Sequence, residues 1–281
     1  AAGKPSRRAA ALMPHAASPP QAPRRKRFGQ HFLHDPAVIR RIVRALAPQA
    51  GDHLVEIGPG RGALTGELLA AAGCTLDAIE IDRDLAALLR ERFSDAPRCV
   101  LHEADALQFD FTALARERGG RLRIAANLPY NISTPLLFRL LAHAPAIVDL
   151  HVMLQREVVA RLAAQPGDAD YGRLGVMLAP QVRVERLFDV GPGAFQPPPR
   201  VWSAVVRLTM RAQPLFVVSP HYPAVVAAAF TQRRKTLRNA LGRLLTREQI
   251  NACGVDPGAR PETLTPQAFN TLAQALDRAR P

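Results

Sequence analysis

The sequence predicts an α/β fold: a doubly wound, mostly parallel sheet with an antiparallel edge strand, followed by a small all-helical C-terminal domain. Three observations predict it. From Phe28 to about Met210, short apolar runs alternate with helix-patterned stretches, as strand–helix–strand crossovers of a parallel sheet require. Two later apolar runs are separated only by "GPGAFQPPPR", which is too short for a crossover helix and suits an antiparallel pair at a sheet edge. Beyond Pro214 strand-like runs give way to helical spacing.

In chain order, "HLVEIG" (53–58), "TLDAIEID" (75–82), "CVLHEAD" (99–105), "LRIAAN" (122–127) and "DLHVMLQ" (149–155) read as buried strands. Between most of them lie the helical patterns "GALTGELLAAAG", "DLAALLRERF" and "PLLFRLLAH". "VRVERLFDV" (182–190) and "WSAVVRLTM" (202–210) are the edge pair. "YPAVVAAAFTQRRKTLRNALGRLL" and "TPQAFNTLAQALDRAR" read as the C-terminal helices. The expected organisation is a basic tail over 1–27, a sheet domain over 28–212 and a helical domain over 213–281. At 281 residues, 48% of them hydrophobic, the chain can bury one sizeable core and a smaller one.

No apolar run is long enough to cross a bilayer. Cys74, Cys99 and Cys253 are widely spaced with no Cys/His clustering, so neither a disulfide framework nor a metal site is expected, and a cytoplasmic location fits. The net charge of +13 is concentrated at the ends: seven Lys/Arg and no acid in 1–27, nine against four in 213–281, and near balance between. Basic ends around a near-neutral body suit a polyanion gripped outside a catalytic pocket, because phosphate contacts give affinity without base identity. The tail is Ala-, Pro- and Arg-rich and is expected to be disordered. It is Arg-rich and acid-free like a mitochondrial presequence, but its five prolines break the helix such a signal needs.

In "VEIGPGRGALTGELL", Gly58, Gly60 and Gly62 follow a strand and open a helix. Glycines there allow a tight turn and bring backbone N–H groups to a ligand at the positive helix end. Glu80, about twenty residues on, ends the second strand, where a carboxylate accepts from both ribose hydroxyls. The pair indicates a nucleoside-containing cofactor without separating a dinucleotide from S-adenosylmethionine. Asp105 ends the third strand, placed either to meet an adenine amino group or to cap the next helix.

"NLPYNISTP" sits beyond the fourth strand, where ligands of doubly wound sheets bind. Pro129 stops the strand, Ser133 or Thr134 is placed to cap the next helix, and Pro135 falls in its first turn. An exocyclic adenine amine is a poor nucleophile because its lone pair is delocalised into the ring. Hydrogen bonds from its N–H groups to the Asn127 amide oxygen and a fixed backbone carbonyl favour a pyramidal nitrogen and aim the lone pair at a methyl group. Asn127, Leu128, Pro129 and Tyr130 form the candidate catalytic turn, with Tyr130 offering a face on which an extruded base can stack. The methylated amine loses its proton to solvent, so the turn needs no general base.

The motifs "GQHFLHD" (29–35), "EIGPGRGALT", "EIDRDL", "ADAL", "NLPYNIST" and "FQPPPRVWSAVVRL" follow the order and approximate spacing of the ribosomal RNA adenine N6-dimethyltransferases. From Arg27 onward the chain resembles that family, and most of all its bacterial small-subunit branch. The resemblance implies a Rossmann-like methyltransferase domain and S-adenosylmethionine as donor. It also implies a substrate of two neighbouring adenosines in a hairpin loop near the 3′ end of 16S rRNA. The implied cofactor contacts are Gln30, His31, Leu33, Gly58, Gly60, Glu80, Ile81, Asp105, Ala106 and Asn127, with Phe195 covering the target base opposite Tyr130. The common pattern has Asn where this chain has His31, and an imidazole still donates one hydrogen bond. In the C-terminal domain Arg233, Arg234, Lys235 and Arg238 are the candidate RNA contacts, with helical spacing letting Arg234 and Arg238 share a face. A monomer working on the small ribosomal subunit is expected. The related large-subunit enzyme of macrolide resistance and an assembly factor acting by occupancy are the competing readings.

Overall fold

The computed structural model describes residues 31–279 apart from 72 and 233. In chain order the elements are β1 (Phe32–Leu33), α1 (Pro36–Leu46), β2 (His53–Ile57), α2 (Ala63–Ala70), β3 (Thr75–Glu80), α3 (Arg83–Arg92), β4 (Cys99–Glu103), α4 (Phe111–Arg118), β5 (Leu122–Asn127), α5 (Ser133–Ala142), β6 (Ile147–Gln155), α6 (Arg156–Ala163), α7 (Arg173–Leu178), β7 (Val182–Val190), β8 (Phe195–Gln196), β9 (Ser203–Met210), α8 (Tyr222–Ala229), α9 (Leu237–Ala240), α10 (Arg247–Ala252) and α11 (Pro266–Ala279). The main sheet has the order β4-β3-β2-β5-β6-β9-β7. The first five of these strands are parallel, and β9 pairs antiparallel with both β6 and β7. This is the predicted doubly wound sheet with its antiparallel edge.

Strand order reverses beside β2, so β2, β3 and β5 deliver their carboxyl ends to a shared crevice. Both faces are covered, which is why the central strands read as continuous apolar runs. One core packs α4, α5 and α6 against the sheet through Phe111, Leu136, Leu140 and Val159. On the other face α1 and α2 bury Ile39, Ile42, Leu64 and Leu68. The C-terminal helices have a separate core around Tyr222, Phe269 and Leu241, which Tyr171 and Val176 of α7 and its approach help to close.

A second sheet of two strands pairs β1 with β8, setting Phe32 against Gln196 and Leu33 against Phe195. It joins the "GQHFLHD" and "FQPPP" segments, a pairing too short to show as a periodic pattern. The helical run expected over "YPAVVAAAFTQRRKTLRNAL" is broken into two helices. α8 stops before Phe230, whose ring packs against Tyr171 and Phe269, and the N–H groups of Leu237 and Arg238 are held by the carbonyls of Ala259 and Pro257. Arg234 and Lys235 therefore lie in the connecting turn and Arg238 in α9, so the shared helical face of Arg234 and Arg238 does not form. Among the described residues, no helix is long and apolar enough to cross a membrane. The basic tail, Gln30 and Arg233 lie outside the described residues.

Candidate active site

The glycine turn after β2 is shaped by backbone that only glycine adopts easily. Gly58 and Gly60 have φ of 67° and 59°, in the left-handed region. A Cβ on Gly60 would also approach the Phe32 ring to 2.9 Å, so the turn is tight as well as twisted. The Gly60 N–H donates to Glu80 Oε2 at 3.1 Å and the Asp82 N–H to Oε1 at 3.0 Å, which fixes the carboxylate at the end of β3. Burial raises the Glu80 pKa above the ordinary carboxylate range despite these bonds. Beneath the turn, Glu56 is buried and accepts the Thr65 hydroxyl at 2.6 Å, tying α2 to β2. Burial pushes the Glu56 carboxyl up to about 7; the Thr65 bond opposes this and the negative field of Glu80 adds to it.

At the end of β5, Asn127 Nδ2 donates to the His31 carbonyl at 3.1 Å. That bond orients the amide and leaves Oδ1 as its accepting end. Leu128 is buried and its N–H reaches the Met153 carbonyl, continuing the β5–β6 ladder one step past Asn127. Tyr130 is anchored by its hydroxyl, 2.9 Å from Ser203 Oγ. Its ring centroid is 5.9 Å from that of His31, whose Nδ1 lies 2.7 Å from the Pro197 carbonyl oxygen. Neither Ser133 nor Thr134 caps α5. The N-cap is Ile132, with no side-chain bond, and the Ser133 hydroxyl instead donates to the Tyr130 carbonyl at 3.1 Å. The tight Pro129–Ile132 turn starts the helix one residue earlier than a Ser133 cap would.

These groups border one cavity of about 380 Å³. The glycine turn supplies Gly58 and Gly60, β3 ends at Glu80 and Ile81, and the β4 end adds Asp105 and Ala106. His31, Asn127, Leu128, Pro129, Tyr130 and Phe195, also singled out by the sequence, border it too. Ile81 is half exposed there, an apolar side chain next to the fixed carboxylate. Asp105 has both expected characters: it borders the cavity, and its Oδ1 accepts the Leu107 N–H at 2.9 Å as a turn-capping aspartate does. Phe195 is almost wholly buried, so it offers the cavity an edge of the second core rather than a free ring.

Leu33 does not border the cavity; it packs into the core with Ile39 and Ile42. Alternation along β1 explains the difference, because turning Leu33 inward presents Phe32 to the crevice. Phe32 is a cavity residue that the sequence reading missed, as are Leu107 and Ile132. All three fall inside quoted motifs, "GQHFLHD", "ADAL" and "NLPYNIST", and the alternation around Leu33 adds a signal for Phe32. The exposed Arg234, Lys235 and Arg238 belong to the C-terminal unit and are not among the residues bordering this cavity.

A twisted glycine turn, a fixed acid one strand over and an oriented asparagine amide in one crevice define an enzyme of the doubly wound class with a nucleoside cofactor. The model of the family described as ribosomal RNA adenine dimethylase matches residues 22–278, and the chain belongs to that family. The chain is 56% identical over 260 residues to the ribosomal RNA small subunit methyltransferase A of Pseudomonas aeruginosa, covering 90% of this chain and 94% of the relative. The protein of the same name from Marinobacter nauticus is 53% identical, with coverages of 90% and 91%. Among solved structures, the 23S rRNA methyltransferase ErmE is 30% identical with a TM-score of 0.67, covering 88% of this chain and 99% of that one. A dimethyladenosine transferase from Plasmodium falciparum shares the fold, with a TM-score of 0.73 at 24% identity over 88% of this chain and 98% of that one.

Proposed function

We propose that this chain transfers methyl groups from S-adenosylmethionine to the N6 amines of two adjacent adenosines in a hairpin loop near the 3′ end of 16S rRNA in the small ribosomal subunit. The observation that carries the reading is the Asn127 amide, held by the His31 carbonyl so that its oxygen is the accepting end, in the same cavity as the glycine turn and Glu80. The cavity suits the donor. Its volume falls in the range of small-molecule sites, Glu80 offers a carboxylate to ribose hydroxyls, and Ile81 with Ala106 offers apolar cover to adenine.

When bound, S-adenosylmethionine supplies an electrophilic methyl group. The residues do the rest by positioning. Asn127 Oδ1 accepts one amine N–H of the target base and a carbonyl of the Leu128–Pro129 turn accepts the other, drawing the nitrogen out of conjugation. Tyr130, held through Ser203, supplies a face for the extruded base, and the buried edge of Phe195 limits its depth. The methylated nitrogen is acidic and releases its proton to water. A monomethylated amine retains one N–H for the same acceptor, so the arrangement serves a second transfer.

Residues 28–212 are the catalytic unit in this reading, and residues 213–281 grip RNA through Arg233, Arg234, Lys235 and Arg238. Identities of 53–56% to small-subunit enzymes, against 30% to the 23S enzyme, favour the small subunit. Incubation with methyl-labelled cofactor and separate unmethylated small and large subunits tests the reading. Label is expected in 16S rRNA as dimethyladenosine, and label confined to the large subunit overturns it.

A further inference from the structure

Trp202, the chain's only tryptophan, is half exposed and next in sequence to the residue that anchors the cavity's Tyr130. A large indole left in water is costly at a site with no use for it, because it withholds apolar area from the core. Its backbone fixes where it lies. Trp202 immediately precedes Ser203, the residue that anchors the Tyr130 hydroxyl, and its carbonyl accepts the N–H of Arg156 at the start of α6 at 2.9 Å. The indole therefore sits at the corner where β6, β9 and α6 meet, one residue from the Tyr130 anchor.

The surroundings suit a stacked base. The six-membered part of the indole rests over Gly191, where a Cβ would lie 3.6 Å from the ring, so a backbone floor supports it. The exposed Arg156 guanidinium stands over the ring at 6.0 Å from its centroid, the outer limit of a cation–π contact, so it brings positive charge to the indole while staying loosely held. Exposed Arg200 and Val201 continue the same rim. A half-exposed aromatic ring with an arginine over it, one residue from the Tyr130 anchor, is the composition of a single-strand nucleic-acid contact: charge for the phosphate and a π face for the base. We propose that Trp202 and Arg156 form a subsite for the nucleotide adjoining the one in the cavity, the base stacking on the indole and its phosphate meeting Arg156 and Arg200. The subsite rests on the functional reading above and extends it, because a base held at the rim keeps its neighbour extruded at Tyr130.

The test is methylation kinetics on unmethylated small subunits for the parent, Trp202→Leu and Trp202→Phe. Leucine keeps apolar bulk over Gly191 and removes the π face, whereas phenylalanine keeps a ring. The leucine variant should lose about five- to hundredfold in kcat/KM, as expected for one base–aromatic stack, with cofactor affinity and thermal unfolding unchanged. The phenylalanine variant should retain most of the parental value. In the parent, the single indole gives a direct second readout: hexa-adenylate should quench its fluorescence, while inorganic polyphosphate, which has charge and no bases, should not. A leucine variant as active as the parent, or fluorescence indifferent to hexa-adenylate, overturns the subsite. A parent that fails to methylate small subunits at all overturns the underlying functional reading instead, so the two failures are distinct.

Discussion

The two edges of the main sheet use the same residue types to opposite ends. At the amino edge, Arg123 is saturated: it bonds Asp52 at 2.7 Å, Asp149 at 2.8 Å and the Leu46 carbonyl at 2.7 Å. Beside it Arg207 donates to His151 Nε2 at 3.1 Å and to the Ala45 carbonyl. Burial lowers the His151 pKa to about 4, so the ring is neutral and free to accept that bond. At the carboxyl edge, Asn127 and Glu80 are equally fixed, yet each borders a cavity. The amino edge uses its polar groups to join α1 to the strands, whereas the carboxyl edge sets them at the border of a cavity. Crossover connections dictate which edge is which, because the variable turns that meet a ligand follow the strand ends.

The largest expected effect at the amino edge is that of Arg123→Ala. It strands two partly buried carboxylates and should cost about 3 kcal/mol of unfolding free energy, with cofactor affinity of the folded enzyme unchanged. Denaturant titration beside calorimetry checks both, and weakened cofactor binding without lost stability would break the contrast. Glu56 sharpens it, since it is a carboxyl held for structure beneath the functional edge. Its folded pKa of about 7 lies above the ordinary 4.5, so the fold keeps a proton that the unfolded chain gives up. The stability this group contributes is full below about pH 4.5 and is lost as pH rises toward 7. Glu56→Gln keeps an acceptor for Thr65 and removes the titration. Relative to the parent, it should gain up to about 3 kcal/mol between pH 4.5 and 8, and parallel stability profiles would contradict this.

Glu80→Ala should weaken cofactor binding by roughly 1.5–3 kcal/mol, the worth of charge-assisted hydrogen bonds, and leave RNA binding nearly intact. Unchanged calorimetric affinity would remove Glu80 from the site. The smallest effect belongs to the C-terminal helices. Replacing Arg233, Arg234, Lys235 and Arg238 by Gln should lower the slope of log affinity against log salt by about 0.7–0.9 per lost phosphate contact. Cofactor affinity should not move, and an unchanged slope would show that the RNA grip lies elsewhere.

Much of this was legible in the sequence because it rests on local pattern. β5 and β7 have the limits read from their apolar runs, and the glycine turn, Glu80 and Asn127 meet in one crevice as strand order requires. What escaped depends on distant partners. The β1–β8 pair joins two-residue strands more than 160 residues apart, too short for any period to register. The break between α8 and α9 contains no Gly or Pro; it is imposed by packing of Phe230 and by carbonyls from Pro257 and Ala259. Ser133 looked like a cap because its type favours caps, but the Pro129 turn had already started the helix.

The central claim is that the carboxyl edge works by fixing one amide oxygen toward the reacting amine. Single-turnover methylation of small subunits by Asn127→Ala at saturating cofactor tests it most directly. The account predicts a rate lower by about a hundredfold or more, the cost of one preorganised polar contact, with unfolding free energy and subunit affinity close to the parent's. A variant that methylates within a few-fold of the parent would contradict it.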